Sequence, residues 1–331
     1  MQKNVLRLKN ILDKQNLFLL LLVLMVIAGK LLPYKDSYQQ IFNLKAFIDW
    51  GIAGIFLLYG LKLNLKEVIT DVSNWKLHLV IQTGTFVVFP LLVLSFYPFF
   101  REGIYFQSWL TVFFLACLPS TVSSSVVMVS IAKGNVTSAI FNASISGLIG
   151  ILVTPLLMGF FLNNQTAEIH ETSIFQQLLL KVLLPIILGV LLNPIFRNFV
   201  QKHSKIIAEF DRLIILLIVY ESFSKAFLEN IFHSVPPLVF VILAISSISL
   251  FFLVYKILII VSKYLKFNRE DTITTAFCGS KKSLVHGSLF VMILGIPESQ
   301  KVLFLLPIMM YHSFQLFYVS WLANKLAKNT N

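Results

Sequence analysis

The feature that most constrains the fold of this chain is a succession of apolar runs, each about twenty residues long. A helix rises about 1.5 Å per residue, so a run of that length matches the hydrocarbon thickness of a bilayer. Short polar connections separate the runs. The sequence therefore predicts an all-α polytopic membrane protein of ten transmembrane helices, forming a single transmembrane domain over residues 1–331. The predicted spans are 16–34, 46–61, 76–98, 108–132, 135–162, 174–195, 210–229, 235–262, 272–295 and 300–323.

Composition and charge support this class. Hydrophobic residues make up 57% of the chain and charged residues 13%, which excludes an ordinary soluble globular protein. The formal net charge is +12, but the basic residues lie in short loops, where they direct topology rather than bind nucleic acid. When Lys and Arg are counted in alternate loops, they are more numerous on the side of the membrane where the N-terminus lies. We therefore expect an integral protein of a bacterial inner membrane, surrounded by lipid, with both termini in the cytoplasm.

Two predicted spans are interrupted by residues that do not suit a continuous helix. In the fourth span, Pro119 cannot donate to the helix and is followed by five hydroxyl residues among the next six. In the ninth span, Gly279 and Gly287 surround a polar stretch with two adjacent lysines. In lipid, a broken helix is tolerated only where it is buried in protein or lines a cavity. We therefore predict discontinuous helices with binding residues at both breaks: Ser120, Thr121, Ser123, Ser124 and Ser125 in the fourth span, and Cys278, Gly279, Ser280, Lys281, Lys282, Ser283 and His286 in the ninth.

The positions of the two breaks indicate an internal duplication. They lie five spans apart, which predicts one repeat over about 16–162 and a second over about 174–323. Because each repeat has an odd number of helices, the second must be inverted relative to the first. The spans after the breaks agree, since Asn142 in the fifth and His312 in the tenth both place polar groups in apolar runs. Inverted repeats with discontinuous helices are typical of secondary transporters.

The segments "LPSTVSSSVVMVSIAKGN" and "FCGSKKSLVHG" resemble the bile acid:sodium symporter superfamily, and more narrowly its SBF-like bacterial branch, which is related to an orphan human solute carrier. The resemblance covers essentially the whole chain. It implies a core domain of helices 3–5 and 8–10, in which the discontinuous helices 4 and 9 cross. It also implies a panel domain of helices 1, 2, 6 and 7, and transport by alternating access.

The resemblance also implies sodium sites, from which this chain departs. Ser124 and Ser125 stand where the family has a serine and an asparagine, so the serine is kept, and at Ser125 a hydroxyl replaces the amide. Cys278 replaces a glutamate that bridges the sodium ions, and Lys282 replaces a glutamine. The remaining positions are altered as well: Ala143 replaces a hydroxyl residue with Asn142 and Ser144 beside it, and Thr85 replaces a glutamine with Gln82 one turn away. We expect no organic cofactor, a sodium site that lacks several ligands, and Na⁺ or H⁺ as the coupling ion.

Lys281 and Lys282 allow three interpretations. A lysine at the bilayer centre costs about 2.5–3.5 kcal/mol even on lenient scales, and two adjacent cations repel each other, so each needs a partner. One lysine could bond structurally to carbonyl groups freed by the break. An ammonium could instead replace the missing sodium as a built-in cation, or pair with an anionic substrate.

The other polar residues also have alternative roles. The hydroxyls at 120–125 could bond back to the preceding turn, and the two intramembrane histidines could make interhelical hydrogen bonds instead of binding a ligand. Glu221 and Lys225 are spaced to pair structurally on one helix face.

The pattern favours a secondary active transporter for a small organic anion or amphipathic solute. A channel-like or regulatory protein in ion homeostasis remains the alternative, because the same breaks could line a pore. We do not expect an enzyme: a Ser/Lys dyad is conceivable, but a duplicated architecture has no evident purpose for one active site. The lysines argue against a cation pathway, since positive charge repels cations.

Overall fold

The computed structural model describes residues 2–35, 38, 42–62, 74–103, 105–162 and 179–328, and this part of the chain is helical without strands. We number the main helices α1 (Gln2–Leu31), α2 (Leu44–Lys62), α3 (Trp75–Leu94), α4 (Phe106–Cys117), α5 (Ser123–Ile131), α6 (Val136–Leu162), α7 (Leu180–Lys202), α8 (Ser204–Leu228), α9 (Pro237–Tyr264), α10 (Arg269–Gly279), α11 (Leu284–Ile293) and α12 (Glu298–Lys328). Single-turn helices occupy Tyr97–Phe100 and Ile231–Ser234.

The prediction of an all-helical polytopic membrane protein is confirmed within these residues. Six of the described helices are long and apolar enough to cross a membrane: α2, α3, α6, α7, α9 and α12. Two shorter apolar helices cover Leu17–Leu31 and Phe106–Cys117. Residues 174–178 of the predicted sixth span lie outside the described residues. The number of ten spans stays a prediction.

Both predicted helix breaks are confirmed. Helix α4 ends at Cys117 and α5 begins at Ser123, while α10 ends at Gly279 and α11 begins at Leu284. The first break follows from Pro119, because a residue before proline is pushed out of the helical region; Leu118 is indeed extended, with φ −71° and ψ 149°. The second break begins immediately after Gly279. None of these four half-helices is long enough to span a bilayer alone.

The chain divides into two compact units. The first unit contains α1, α2, α7 and α8 together with Ser288–Leu305. The second unit contains α3 to α6, α9, α10, the start of α11 through Gly287, and the part of α12 from Leu306 onwards. Both helix breaks therefore belong to the second unit.

Helices α2 and α7 of the first unit approach each other at two glycines. A Cβ added at Gly60 would lie 2.3 Å from the Ile186 carbonyl oxygen, and one added at Gly189 would lie 2.2 Å from the Leu57 carbonyl oxygen. Small residues allow helix backbones to pack this closely in membranes. The contact is made by backbone atoms, so a larger residue cannot be accommodated by turning a side chain.

We predict that Gly189→Ala lowers the midpoint of thermal unfolding in detergent, because the added methyl group forces the two backbones apart. Overpacking of this kind costs about 1–3 kcal/mol. Gly159→Ala in α6 is the matched control, since a Cβ there meets nothing within 4 Å. The control substitution should leave the midpoint unchanged or raise it, because alanine favours a helix by up to about 1 kcal/mol over glycine. Equal effects of the two substitutions would contradict the packing argument.

Candidate functional site

The two helix breaks contact each other within the second unit. The Ser283 backbone N–H donates to the Pro119 carbonyl oxygen at 2.9 Å, and the Ser120 hydroxyl donates to the Cys278 carbonyl oxygen at 2.5 Å. We call residues 118–122 and 280–283 the crossover. Interrupting a helix leaves backbone groups without intrahelical partners, and here each break supplies partners for the other. The described polar groups of the crossover are almost completely shielded from solvent.

Lys282 is the most completely bonded cation of the crossover. Its side chain is fully buried, and its Nζ donates to three backbone carbonyl oxygens: those of Thr85 at 2.8 Å, Ala116 at 2.6 Å and Leu118 at 2.7 Å. An ammonium group has three N–H donors, so these bonds use all of them. The ring of Phe89 lies 4.1 Å from Nζ, which adds a cation–π contact. Ala116 and Leu118 belong to the C-terminal end of α4, where the helix dipole favours a cation.

The Thr85 carbonyl is available because of a local defect in α3. Residues Gly84–Val88 form a π-helical turn, in which the Phe89 N–H donates to the Gly84 carbonyl rather than to that of Thr85. In a π-turn the carbonyl of Thr85 would instead accept from the N–H of residue 90, but residue 90 is a proline and has no N–H. Both backbone donors that could reach the Thr85 carbonyl are therefore lost, and the Lys282 ammonium takes their place. π-turns often occur at functional sites.

Gln315 of α12 holds the backbone of Lys282. Its Oε1 accepts from the Lys282 N–H at 2.9 Å, and its Nε2 donates to the Lys282 carbonyl oxygen at 2.8 Å. The same Nε2 lies 2.9 Å from Nδ1 of His312. His312 is therefore brought to the crossover, as its sequence position suggested, but the main contact is made by Gln315. Sequence reasoning missed Gln315, although it lies one turn beyond His312 in an apolar helix.

Lys281 is equally buried but has fewer acceptors. Its Nζ donates to the Ser124 carbonyl oxygen at 3.0 Å and lies 3.5 Å from the Ser124 hydroxyl. That hydroxyl donates to Thr121 Oγ1 at 2.8 Å, and Thr121 Oγ1 lies 2.9 Å from Ser125 Oγ. The hydroxyls of Thr121, Ser124 and Ser125 thus form a connected chain at the start of α5, next to an ammonium group. Ser123 begins α5, but its side chain lies outside what the structure describes.

The remaining predicted site residues of the ninth span lie in the crossover or next to it in the chain. The hydroxyl of Ser283 lies 3.0 Å from Nδ1 of His286 and accepts from the His286 N–H at 3.3 Å. The Ser280 carbonyl accepts from the hydroxyl of Tyr311, a contact that sequence reasoning missed. Cys278 contributes its carbonyl oxygen rather than its thiol. Gly279 allows close packing, since a Cβ there would lie 2.7 Å from Leu258.

Asn142 and Gln82 form a second polar group between α3 and α6. Gln82 Nε2 donates to Asn142 Oδ1 at 3.1 Å, and Asn142 Nδ2 lies 2.8 Å from Nδ1 of His78. His78 was not predicted, although it lies one turn before Gln82 on α3. Ser144 is not brought to either group: it is exposed, and its hydroxyl donates to the Ile140 carbonyl one turn earlier at 3.0 Å.

Several oxygens of the crossover that could serve as sodium ligands are bonded to other groups of the chain. Carbonyl oxygens are suitable ligands for a hard cation, but those of Thr85, Ala116 and Leu118 are bonded by the Lys282 ammonium. Among the described residues, no group of three or more His, Cys, Asp or Glu side chains is placed to hold a metal ion. No carboxylate within the described hydrogen bonds and salt bridges contacts either lysine. The hydroxyls of Ser124 and Ser125 bond to Thr121.

We predict that Gln315→Leu markedly lowers the thermal unfolding midpoint in detergent. The substitution leaves the buried N–H and carbonyl of Lys282 without partners, and each such group costs about 1–3 kcal/mol. Asn324→Leu on the same helix is the control, because Asn324 is exposed and donates only to the Ser320 carbonyl. A midpoint that is equally insensitive to both substitutions would mean that Gln315 does not stabilise the break.

Comparison with known proteins agrees with these features. Residues 16–328 match the model of the SBF-like CPA transporter family. The chain is 33% identical over 311 residues to the uncharacterized protein PA2026 of Pseudomonas aeruginosa, covering 94% of this chain and 92% of that protein. It is 33% identical over 318 residues to the putative symporter YfeH of Escherichia coli, with 95% and 93% covered. It is 29% identical over 309 residues to sodium/bile acid cotransporter 7-B of Xenopus laevis, with 90% and 88% covered. The chain belongs to the SBF-like CPA transporter family.

Proposed function

We propose that this protein is a secondary active transporter that moves a small organic anion or amphipathic solute by alternating access. The observation that carries the proposal is the crossover, where two interrupted helices bond to each other and enclose two ammonium groups. Discontinuous helices of this kind provide backbone groups and helix ends for substrates and coupling ions in transporters. The relatives named as a putative symporter and as a sodium/bile acid cotransporter support a transport function.

The architecture that goes with this function is a core and a panel built from two inverted repeats. The second unit gathers α3 to α6, α9 and α10, which correspond to most of the expected core, and the first gathers α1, α2, α7 and α8, which correspond to the expected panel. The two breaks also occur at matching places in the two halves of the chain. These correspondences support the ten-helix arrangement and a cycle in which core and panel move relative to each other.

Within the crossover we assign different roles to the two lysines. Lys282 acts as a built-in cation in place of sodium, because three carbonyl oxygens use all of its donors and leave none for a substrate. Lys281 supplies positive charge for an anionic substrate, because its described bonds go to Ser124 alone and its ammonium keeps unused donors. Transport should then not require sodium. The hydroxyl chain of Thr121, Ser124 and Ser125 would complete the polar contacts.

We predict that Lys282→Ala abolishes uptake of organic anions into proteoliposomes or makes it newly dependent on sodium. Removing the ammonium leaves three buried carbonyl oxygens without a donor, and a sodium ion could then occupy their centre. Lys282→Arg should not restore uptake, because the planar guanidinium cannot direct three N–H groups at the same three carbonyls. Lys263→Ala is the control, since Lys263 is an exposed lysine at the end of α9 in the same unit.

The measurement is uptake of radiolabelled organic acids with and without a sodium gradient, after checking that each variant is monodisperse in detergent. Unchanged uptake in both Lys282 variants would refute the built-in cation and leave only a dispensable structural role.

The same assay tests the class of protein: uptake should saturate with substrate and turn over at the rate of a conformational cycle. Flux per molecule far above that rate would identify a channel instead.

A further inference from the structure

The first unit carries a cluster of charges that shares no residue with the crossover. Three lysines from three helices converge on the carboxylate of Glu298, the first residue of α12. Lys45 lies 3.3 Å and Lys301 2.7 Å from Oε1 of Glu298, and Lys225 lies 3.3 Å from its Oε2. Lys225 also lies 3.3 Å from Oε1 of Glu221. We call these three lysines and two glutamates the lysine cluster.

The lysine cluster has an excess of positive charge and of hydrogen-bond donors. Three ammonium groups face two carboxylates, so the net charge is 3 − 2 = +1. Three ammonium groups provide about nine N–H donors, whereas the salt bridges described for them number four. The cluster therefore can accept one further negative charge without exceeding neutrality.

Lys301 is the lysine of the cluster whose unused N–H donors are most deeply buried. Its side chain is only 6% exposed, and its single described acceptor is Oε1 of Glu298. A nearly buried ammonium with unused donors is unfavourable, because water cannot replace the missing acceptors. An additional acceptor beside Lys301 would remove that cost. The cluster is also open on one side, since the side chains of Lys45 and Glu298 are 52% and 34% exposed.

The ion pairs that Lys62 and Lys181 make in the described part of the first unit lack this excess. Lys62 pairs with Asp211 at 3.4 Å, and Lys181 pairs with Asp49 at 3.3 Å, in each case one cation with one carboxylate. Pairs of this kind neutralise charge in an apolar environment and need no further ligand. The lysine cluster differs in the convergence of three cations on one carboxylate, and the bonds made by Glu298 show that a carboxylate fits among them.

We infer that the lysine cluster is an accessory anion site that binds one small monovalent oxyanion, a carboxylate or a singly charged phosphate group. The unused donors of Lys301, with those of Lys225 and Lys45, would contact the oxyanion beside Glu298. A monovalent ligand is favoured because the cluster has one positive charge to neutralise. The oxyanion can come from a free solute or from the headgroup of an anionic lipid, and both sources present the same chemistry.

The test uses the full-length protein in lipid-free detergent, with thermal unfolding followed at increasing acetate and with chloride replaced so that ionic strength stays constant. Acetate should raise the unfolding midpoint in a saturable way, because a ligand of the folded state stabilises it. Lys301→Met should remove this shift. Lys181→Met, which breaks a one-to-one pair in the same unit, should keep it.

Glu298→Gln makes the test independent of whether Lys301→Met folds. Removing a negative charge about 4 Å from the bound anion should lower the acetate dissociation constant about fivefold or more. A purely structural cluster predicts the opposite pattern, in which Glu298→Gln destabilises the protein and acetate does not rescue it. That result, or an acetate shift of equal size in Lys301→Met and Lys181→Met, would overturn the inference.

A second arm distinguishes the two sources of the oxyanion. The protein is titrated with mixed micelles containing phosphatidylglycerol, with phosphatidylcholine as the neutral control. Stabilisation by phosphatidylglycerol that Lys301→Met abolishes, and that adds little to the shift at saturating acetate, identifies the site as one for a lipid headgroup as well. Stabilisation by acetate alone identifies a site for free solutes. Stabilisation by neither ligand rejects the anion site.

Discussion

The second unit depends on a single buried ammonium group. Lys282 replaces the hydrogen bonds that three carbonyl groups lose, two at the C-terminal end of α4 and one in the π-turn of α3. Without a donor in that place, each carbonyl would be desolvated in an environment that offers no water. The cation and the interrupted backbone therefore stabilise each other. The Gln315 side chain of α12 bonds the backbone N–H and carbonyl of the same lysine, so α12 also stabilises the second break.

The positions of the breaks and the identity of the polar residues could be predicted from the sequence, because Pro119, Gly279 and the adjacent lysines act locally. The partners of these residues could not. Gln315, Tyr311 and His78 come from other helices, and their contacts depend on how the helices pack. The role of the Thr85 carbonyl as a partner of Lys282 was the hardest contact to predict, because it requires both a π-turn and a proline at position 90. Ser144 shows an error of the opposite kind, a predicted ligand that is not at the site. It is close to Asn142 in sequence, but two residues along α6 correspond to about 200° around the helix axis, so its side chain is exposed.

The first unit places its ion pairs at the two ends of the same helices. Lys62 at the end of α2 pairs with Asp211 near the start of α8, while Lys45 at the start of α2 and Lys225 near the end of α8 meet at Glu298. Lys45 and Lys62 are 62 − 45 = 17 residues apart on α2, which corresponds to about 25 Å along a helix. That separation is close to the hydrocarbon thickness of a bilayer, about 30 Å. The two sets of charges on α2 are therefore separated by nearly the hydrocarbon thickness of a bilayer.

The two adjacent lysines bond to the two helix ends that flank the break after α4, so their ammonium groups have different acceptors. Lys282 meets carbonyl groups at the C-terminal end of α4, where the helix dipole is negative, whereas Lys281 meets the first turn of α5, where it is positive. The helix dipole therefore favours the charge of Lys282 and disfavours that of Lys281, whose described bonds go to Ser124. A cation at a helix N-terminus, fully buried and with acceptors on Ser124 alone, is the group in the crossover that gains most from an approaching anion. The two lysines thus differ in how fully the described residues bond them, and this difference is the reason for the separate roles that we propose for them.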